Sequence, residues 1–487
     1  MIETHIISDH QEMRGILAEC NKLAKQVNAV IPFNYIESSW LWWNNFNNCD
    51  GSLFSQKRGT NFLGTQSKLK DFFLLIAKNE SSVCGAIPLA SFEVKIPHEK
   101  SKLKILCFAG DYGLFPFQDF LIAPSERSET LSSMLSVLIR LLEKDYNFIF
   151  MGYLPESSPN LPVLRKYFSN IKGKNIKFLE RKTGQRGGMR PWTIHAILSI
   201  LKKIQRNYND NELIKEKLNN FVERLEKMSG FSLLLSGTRI EIEKELKSIL
   251  NELQSQTDMK GNIEKIYSLL SNTEILYPYI ELPPEKELYL KSLSYKTRRS
   301  YRYYRNRFLK YGGIFEKITA KKITDRDIDD YISLHLDRWG ESSATLRSVN
   351  NNFHKELLYF LIENEFVTLF FANLNGVRIA SLSCIDIFSN RLAYLSGRMP
   401  EYDKYSAGSV LIMNSIYDAI DSGFKIFDFS LGGFSYKMSL ASDSSTTNCF
   451  ILNKSSNTFN LDDIFSGYEF MGIEVKKPNA VTTNYSS

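Results

Sequence analysis

The first 180 residues alternate between the hydrophobic spacings typical of strands and of helices. Asp71–Lys78 and Val83–Val94 are apolar runs joined by a short polar stretch, which predicts a β-hairpin. Lys104–Ala109 predicts another strand. Thr130–Lys144 carries leucine and methionine at spacings of three and four, which predicts a helix, and Phe148–Tyr153 predicts the strand after it. This part of the chain is therefore expected to be a mixed α/β domain.

A purely helical pattern follows a basic, glycine-rich stretch, Arg181–Arg190, which we interpret as a linker. Apolar residues then recur every three or four positions in three successive series, as at Ile197, Leu201 and Ile204. Residues 192–270 are therefore expected to be an insertion of three or four helices. The pattern does not reveal whether the insertion is a spacer, a lid or a binding platform.

The α/β pattern returns near Tyr277, with three strands between two groups of helices and Asn375-Gly376 as a hairpin signal. The predicted helices are Glu285–Leu293, Tyr295–Lys310, Asp325–Asp337, Ser348–Glu363 and Ser409–Ser422, and the predicted strands are Val367–Asn373, Arg378–Phe388, Arg391–Gly397, Lys425–Phe429 and one near Cys449–Asn453. Because both parts share the order hairpin, helix, strand, the sequence indicates a duplicated fold. The expected units are an N-terminal domain (1–185), the helical insertion (192–270), a C-terminal domain (275–454) and a peripheral tail (455–487).

Composition narrows the class of protein. The 487 residues are 43% apolar and 24% charged, as in globular proteins of more than one domain. The six cysteines are dispersed and lack metal spacing, so neither a disulfide framework nor a bound metal is expected. The N-terminal residues lack the apolar core of a signal peptide, and no apolar run reaches the ~18 residues of a membrane span. We expect a cytoplasmic protein, with peripheral membrane contact left open.

The net charge of +7 is concentrated in one segment. Lys286–Lys310 contains nine basic residues and one acidic residue, a net charge of +8, which leaves about −1 for the rest of the chain. On a helix, Arg298, Arg302 and Arg305 fall within about 60° of one another, apart from a stripe of aromatic residues. Because arginine matches phosphate oxygens in a bidentate way, they are candidates for binding phosphate, a nucleotide sugar or RNA. A solvated basic face is the alternative.

Two further stretches carry candidate chemistry at predicted strand ends. Tyr402–Ser409 lies between a strand and a helix, where a tight turn would direct backbone N–H groups towards a pyrophosphate. A simple turn is the alternative. Asp428–Lys437 contains Gly432 and Gly433, which permit close backbone approach, while Tyr436 and Lys437 offer a proton donor and a cation. A salt-bridged loop end is the alternative.

Taken in order, four stretches resemble the FemAB-like acetyltransferase branch of the GNAT superfamily, and more narrowly the CelD/BioF-like group. They are Ser292–Arg299, His335–Trp339, Tyr402–Gly408 and Asp428–Lys437. The resemblance covers residues 275–453, with a looser match over the first 170. It implies an α/β (α+β) fold of two tandem GNAT-like domains, each a mixed, mostly antiparallel sheet flanked by helices, with the helical insertion between them.

The same resemblance implies acyl transfer from acyl-CoA to an amine, without a metal. The pantetheine would run between two splayed strands, with the pyrophosphate on the backbone of Tyr405, Ser406, Ala407, Gly408 and Ser409. Asp428 would accept the amine proton, Tyr436 would protonate the leaving thiolate, and Lys437 would hold an anionic part of the substrate. Substrate contacts are expected from Arg298, Arg302, Arg305, Arg338 and Trp339. Of the glycine-rich pyrophosphate signature of ordinary GNAT enzymes, only Gly408 is present.

Three functions remain open. The first is an acyl-CoA-dependent N-acyltransferase acting on an amino sugar or another polysaccharide or cell-envelope precursor. The second is a Fem-type transferase that uses aminoacyl-tRNA, with the insertion and the basic helix binding RNA. The third is a non-catalytic GNAT-like component that binds a partner or a nucleotide sugar. We expect the first, with small-molecule substrates and no DNA; the sequence predicts neither the acceptor, the acyl chain length nor the oligomeric state.

Overall fold

The architecture is that of a computed structural model. It describes residues 2–27, 35–46, 66–80, 82–95, 102–110, 117–170, 175–182, 191–208, 212–227, 236–253, 261–264, 266, 276–339, 348–432, 435–454, 468–469 and 472–473. Most of the predicted linker and of the tail, and Gly433 of the predicted site, lie outside these residues. Within them, no helix is both long and apolar enough to cross a membrane.

The N-terminal half begins with a strand and two helices that the sequence patterns did not predict. Its elements are β1 (Glu3–Ile7), α1 (His10–Gln26), α2 (Ile36–Phe46), β2 (Gln66–Lys78), β3 (Val83–Lys95), β4 (Lys102–Phe108), β5 (Leu121–Ile122), α3 (Arg127–Lys144), β6 (Phe148–Pro155), α4 (Leu161–Asn170) and β7 (Ile176–Lys182). Helix α1 begins where the Asp9 carboxylate accepts hydrogen bonds from the backbone N–H groups of Gln11 and Glu12.

The middle of the chain is helical, as predicted. Helices α5 (Pro191–Asn207), α6 (Glu212–Lys227) and α7 (Ser236–Leu253) pack around an apolar core of their own. An ion pair of 3.0 Å between Lys217 and Glu252 joins α6 to α7. The regular apolar spacing in the sequence therefore forms the inner faces of this helical unit.

The C-terminal half begins with an additional strand and two helices and then repeats the element order of the first half. Its elements are β8 (Tyr277–Glu281), α8 (Lys286–Ser292), α9 (Tyr295–Lys310), β9 (Gly313–Thr319), α10 (Asp325–Trp339), α11 (Ser348–Glu363), β10 (Val367–Leu374), β11 (Val377–Ile387), β12 (Asn390–Arg398), α12 (Ala407–Asp421), β13 (Ile426–Asp428), α13 (Ser435–Met438), β14 (Asp443–Ser445) and β15 (Thr447–Lys454), and a short hairpin follows as β16 (Tyr468–Glu469) and β17 (Gly472–Ile473). The Asn375-Gly376 hairpin is confirmed, with φ values of 53° and 87°.

The two sheets have the same topology. In the first sheet the order is β1-β2-β3-β4-β6, and in the second it is β9-β10-β11-β12-β13. Neighbouring strands are antiparallel in both series, except that the last pair, β4 with β6 and β12 with β13, is parallel. The predicted pair of mixed, mostly antiparallel sheets flanked by helices is confirmed. The duplication is seen in the order and direction of the strands, which are the same in both sheets.

A strand from the C-terminal end of the described chain belongs to the first sheet. A strand is present near Cys449–Asn453, as predicted, but β15 lies between β6 and β7 of the first sheet, antiparallel to both. At the corresponding edge of the second sheet, β8 pairs with β13 and β14 pairs with β8. Because β15 is almost entirely buried, it needs a neighbour on each side, and β6 and β7 supply them. The predicted boundary at residue 454 stays a prediction.

The halves also share a hydrophobic core. One buried cluster contains side chains from both sheets, and α2 packs against α11 across the junction. The Asn45 amide donates a hydrogen bond of 2.7 Å to Glu356 there. The rings of Phe117 and Tyr277 are in contact, with centroids 4.5 Å apart and planes tilted by 36°. These contacts hold the second sheet, which carries the candidate site, firmly against the first.

Candidate functional site

The candidate site is an opening between the two parallel strands of the second sheet. Strands β12 and β13 pair only over Asn390–Leu392 and Ile426–Asp428. Beyond this point β12 continues to Arg398, whereas β13 ends. The backbone of β12 from Ala393 onwards therefore faces a gap, and Asp428 stands where the gap begins.

A β-bulge marks the same point in β12. Ser383 pairs with Leu395 and Cys384 with Ala393, so Tyr394 is the extra residue. A bulge bends a strand and re-aims its side chains and backbone groups, and bulges are common beside active sites. The apolar pattern carries no signal for this bulge, because one inserted residue leaves the strand equally apolar.

The turn above the opening provides unpaired backbone donors. The chain runs through a 3-10 helix, Pro400–Tyr405, and then Ser406 adopts φ 49° and ψ 36° before α12 begins. The N–H groups of Ser409 and Val410 donate to the Ser406 carbonyl. Those of Ala407 and Gly408 have no hydrogen-bond acceptor among the residues that the structure describes. They form the positive end of a 15-residue helix and suit an anion.

Side chains around this turn leave space above Gly408. A Cβ at Gly408 would have only the Arg398 Cδ within 4 Å, at 3.8 Å. Arg398 forms an ion pair with Asp403. Tyr405 is buried, and its ring contacts the Tyr311 ring at 5.6 Å and the Arg307 guanidinium at 5.8 Å. The turn that the sequence predicted as an anion site thus has Arg307 and Arg398 beside it, two residues that the sequence analysis did not select.

The three arginines that were selected lie at the other end of α12. Arg298 donates to the main-chain carbonyls of Leu290, Lys291 and Leu293, and so caps α8. Arg302 and Arg305 lie close enough to Tyr417 to oppose the rise that burial causes in its pKa. Ten residues, or about 15 Å of helix, separate Tyr417 from Ala407. The arginine face was predicted from one helix alone, whereas the position of that face depends on the antiparallel packing of α9 against α12.

A compact loop follows Asp428. The Ser430 N–H donates to Asp428 Oδ1 at 2.6 Å, with Ser430 in the left-handed region at φ 59°. Burial raises the pKa of Asp428 to about 6, while the Ser430 N–H and the Lys437 charge oppose this rise. Lys437 donates to the carbonyls of Phe429 and Leu431 at 2.6 and 2.7 Å. Burial lowers the pKa of Lys437 to about 7, against the attraction of Asp428. Lys437 therefore holds the loop in shape.

Helix α10 supplies a cation to the edge of the opening. Gly397 of β12 lies directly against it, because a Cβ there would be 2.3 Å from the His335 backbone nitrogen. His335 Nδ1 is 3.0 Å from the Ser396 carbonyl, and Arg338 donates to Ser396 Oγ at 2.7 Å. Burial lowers the pKa of His335 to about 4, so its imidazole is neutral at pH 7.

Arg338 also reaches the loop that follows Asp428. Burial raises the pKa of Tyr436, and the neighbouring Arg338 guanidinium opposes this rise, so the phenol is protonated at neutral pH. The structure therefore brings Arg338, Tyr436 and Lys437 to the opening that begins at Asp428. The side chain of Trp339 lies outside the described residues.

The matching position in the N-terminal half is closed by its own chain. Strands β4 and β6 also pair over only three residues, Ile105–Cys107 with Phe148–Phe150. The Gln118 N–H then donates to the Tyr153 carbonyl at 3.1 Å, and the Gln118 side-chain amide donates to the Ala109 carbonyl at 2.6 Å. A residue that bonds to both strand ends occupies the gap. Among the residues that the structure describes, no backbone hydrogen bond crosses the C-terminal opening in this way.

The fold and the site define an α/β domain in which the N terminus of a helix lies beyond an opening between two parallel strands. Residues 295–438 match the family model of the acetyltransferase (GNAT) domain. This part of the chain is a GNAT domain, as the resemblance implied. The match includes the turn Tyr402–Ser409, the loop Asp428–Lys437 and helix α10.

Distant structural likenesses extend over most of the chain. The C-terminal domain of a putative lysylphosphatidylglycerol synthetase from Agrobacterium fabrum is 7% identical, with a TM-score of 0.39 over 85% of this chain and 91% of that one. A tandem GNAT protein from the clavulanic acid biosynthesis pathway is 7% identical, with a TM-score of 0.39 over 94% and 100%. FemX is 10% identical, with a TM-score of 0.28 over 85% and 94%. No curated protein sequence matches the chain.

Proposed function

We propose that this protein is an N-acyltransferase that moves an acyl group from acyl-CoA to an amine. The observation that carries the proposal is the position of the Ala407 and Gly408 N–H groups, which have no acceptor among the described residues, beyond the strand gap between β12 and β13. A half-buried carboxyl group, Asp428, stands at the start of that gap. An anion site and a proton acceptor at one opening are what thioester aminolysis requires.

The donor would bind along β12. Its pyrophosphate would accept hydrogen bonds from the N–H groups of Ala407 and Gly408, with Arg307 and Arg398 as neighbouring cations. Its pantetheine arm would follow the backbone of β12 beyond Leu392, where β13 no longer pairs. Gly408 leaves the space that a phosphate needs close to the helix.

The transfer needs two proton movements. The amine nitrogen attacks the thioester carbonyl carbon, a C–N bond forms and the C–S bond breaks. Asp428, ionised above a pKa of about 6, accepts the proton that the amine loses. The protonated phenol of Tyr436 supplies a proton to the departing thiolate. Lys437 acts by holding the loop that carries both groups, rather than by binding substrate as the sequence suggested.

For the acceptor, we propose an amino sugar or another amine-bearing polysaccharide or cell-envelope precursor, in the cytoplasm where acyl-CoA is formed. Arg338 lies at the opening and would contact its polar groups. The helical insertion packs around its own core, so its role in substrate binding stays a prediction.

The experiment combines donor binding with product detection. Calorimetry with acetyl-CoA, and release of free CoA thiol in the presence of glucosamine and other amines, should both be positive with the wild-type protein. Binding of acetyl-CoA without thiol release for any amine would favour a binding component. Binding of aminoacyl-tRNA with no binding of acetyl-CoA would contradict the proposal and support the Fem-type donor.

A further inference from the structure

The outer side of α9 carries cations that the protein itself does not neutralise. Lys296, Arg299, Arg302 and Lys310 are exposed, and none has an acidic partner among the residues that the structure describes. At 100° per residue they lie on one side of the helix, along about 21 Å. Several cations elsewhere in the second half do have such partners: Lys286 with Asp421, Lys317 with Asp418, Arg378 with Glu316, Arg391 with Asp386 and Arg398 with Asp403.

The same segment exposes large apolar and aromatic side chains. Tyr295 and Tyr303 are on the cationic side and are 70% and 57% exposed. Six of the twelve exposed large hydrophobic residues in the described structure fall within 288–314, namely Leu288, Tyr295, Tyr303, Leu309, Tyr311 and Ile314. Because this short segment holds half of them together with most of the protein's excess charge, the combination is a local surface feature.

We infer that this face of α9 docks on an anionic phospholipid surface. Headgroup phosphates would neutralise the four cations, and the tyrosine rings suit the boundary between headgroups and acyl chains. The choice between the polyanions that such a face could bind rests on Leu309, which is exposed and lies about 20° from Arg302 around the helix. Aliphatic side chains gain from burial at a lipid boundary, whereas a nucleic-acid strand would use only the cations and the tyrosines.

The test uses the full chain and flotation with lipid vesicles. The protein should bind vesicles of phosphatidylglycerol mixed with phosphatidylcholine, bind pure phosphatidylcholine weakly, and lose binding as salt rises. One basic residue near an anionic surface contributes about 1 kcal/mol, or about fivefold in affinity. The double variant Lys296→Gln with Arg299→Gln should therefore lower the vesicle partition coefficient by about tenfold or more.

A matched control removes the same charge elsewhere. Lys22 and Lys25 lie on α1, and Lys22→Gln with Lys25→Gln should leave the partition coefficient unchanged. A second variant, Tyr303→Ser, should weaken binding at high salt as well, because it removes an uncharged contact. Thermal melts of all variants establish that the fold is kept.

Three results would overturn the inference. One is equal binding to charged and uncharged vesicles, and another is an equal loss in the α1 control. The third is binding of a single-stranded RNA oligonucleotide through Lys296 and Arg299 without vesicle binding, which would show that the face recognises nucleic acid. None of these measurements depends on acyl transfer.

Discussion

The backbone N–H of Ser430 donates to Asp428 Oδ1 at 2.6 Å, and this bond closes a tight turn at the end of β13. Ser430 is held in the left-handed region, which a non-glycine residue rarely adopts. The bond favours the ionised carboxylate, yet burial still raises the pKa of Asp428 to about 6. A pKa of about 6 suits the general base that we propose Asp428 to be.

Replacing Asp428 by asparagine should remove the proton acceptor and leave the shape of the turn. We expect Asp428→Asn to lower kcat/KM by about 100-fold or more. In the wild-type protein kcat/KM should fall as the pH drops below about 6, because the carboxylate becomes protonated. The variant should lack this acidic limb. The measurement is the pH profile of thiol release, and a variant that retains the same limb would show that another group accepts the proton.

Asp119 is a second buried carboxyl group with a raised pKa, but it lies away from the proposed active site, so it tests the effect of burial on stability alone. Burial raises the pKa of Asp119 to about 6, and the carboxylate accepts hydrogen bonds from the Asn160 amide and the Phe120 N–H at 2.9 and 2.8 Å. Because the folded pKa is raised, the contribution of this group to stability is fully present below pH ~4 and is lost as pH rises through 6. An asparagine side chain at this position would accept the same hydrogen bonds through its carbonyl oxygen and would carry no charge.

Asp119→Asn should therefore raise the free energy of unfolding at pH 8 by about 2 kcal/mol, with little change at pH ~4. Denaturant titrations at the two pH values measure this difference. Thiol release should stay at the wild-type rate, because Asp119 lies in the half whose strand gap is closed. A gain of equal size at both pH values would disprove the electrostatic cause.

A side chain at position 408 should fit in the free protein but occupy the space proposed for the donor phosphate. The space at its Cβ position holds only Arg398 Cδ at 3.8 Å, so Gly408→Ala and Gly408→Leu should fold with unchanged or higher Tm. Acetyl-CoA affinity should fall in proportion to side-chain size, as the added atoms occupy the phosphate position. Calorimetry measures the series. Affinity equal to that of the wild-type protein in both variants would place the pyrophosphate elsewhere.

Gly397 should be essential for the packing of α10. A Cβ there would lie 2.3 Å from the backbone of both His335 and Leu334, and neither can move without shifting the helix. We expect Gly397→Ala to lower the free energy of unfolding by about 3 kcal/mol. Gly15→Ala is the control: its Cβ would meet nothing within 4 Å, and a helical alanine should stabilise by up to about 1 kcal/mol. Chemical denaturation of both variants tests the contrast.

Local sequence determined much of the architecture. The spacing of apolar residues predicted the helical middle region, the hairpin at Asn375-Gly376 and the start of α12 within two residues. The first strand was not predicted, because Glu3–Ile7 is mostly exposed and carries little apolar periodicity. A short edge strand is defined by its partner, which here is β2. Helix α1 was missed although its buried residues Met13, Ile16, Cys20 and Leu23 recur every three or four positions.

The sequence by itself also identified the polypeptide segments that form the site, since the turn before α12 and the loop after β13 carry their own residue signatures. Tertiary structure decided what those segments do. The pairing of strands closes one opening through Gln118 and leaves the other open, and the packing of α9 on α12 brings Arg307 rather than Arg298 to the turn. Hydrogen-bond partners and distances between segments far apart in the chain depend on the whole fold, because no local spacing records which strands become neighbours.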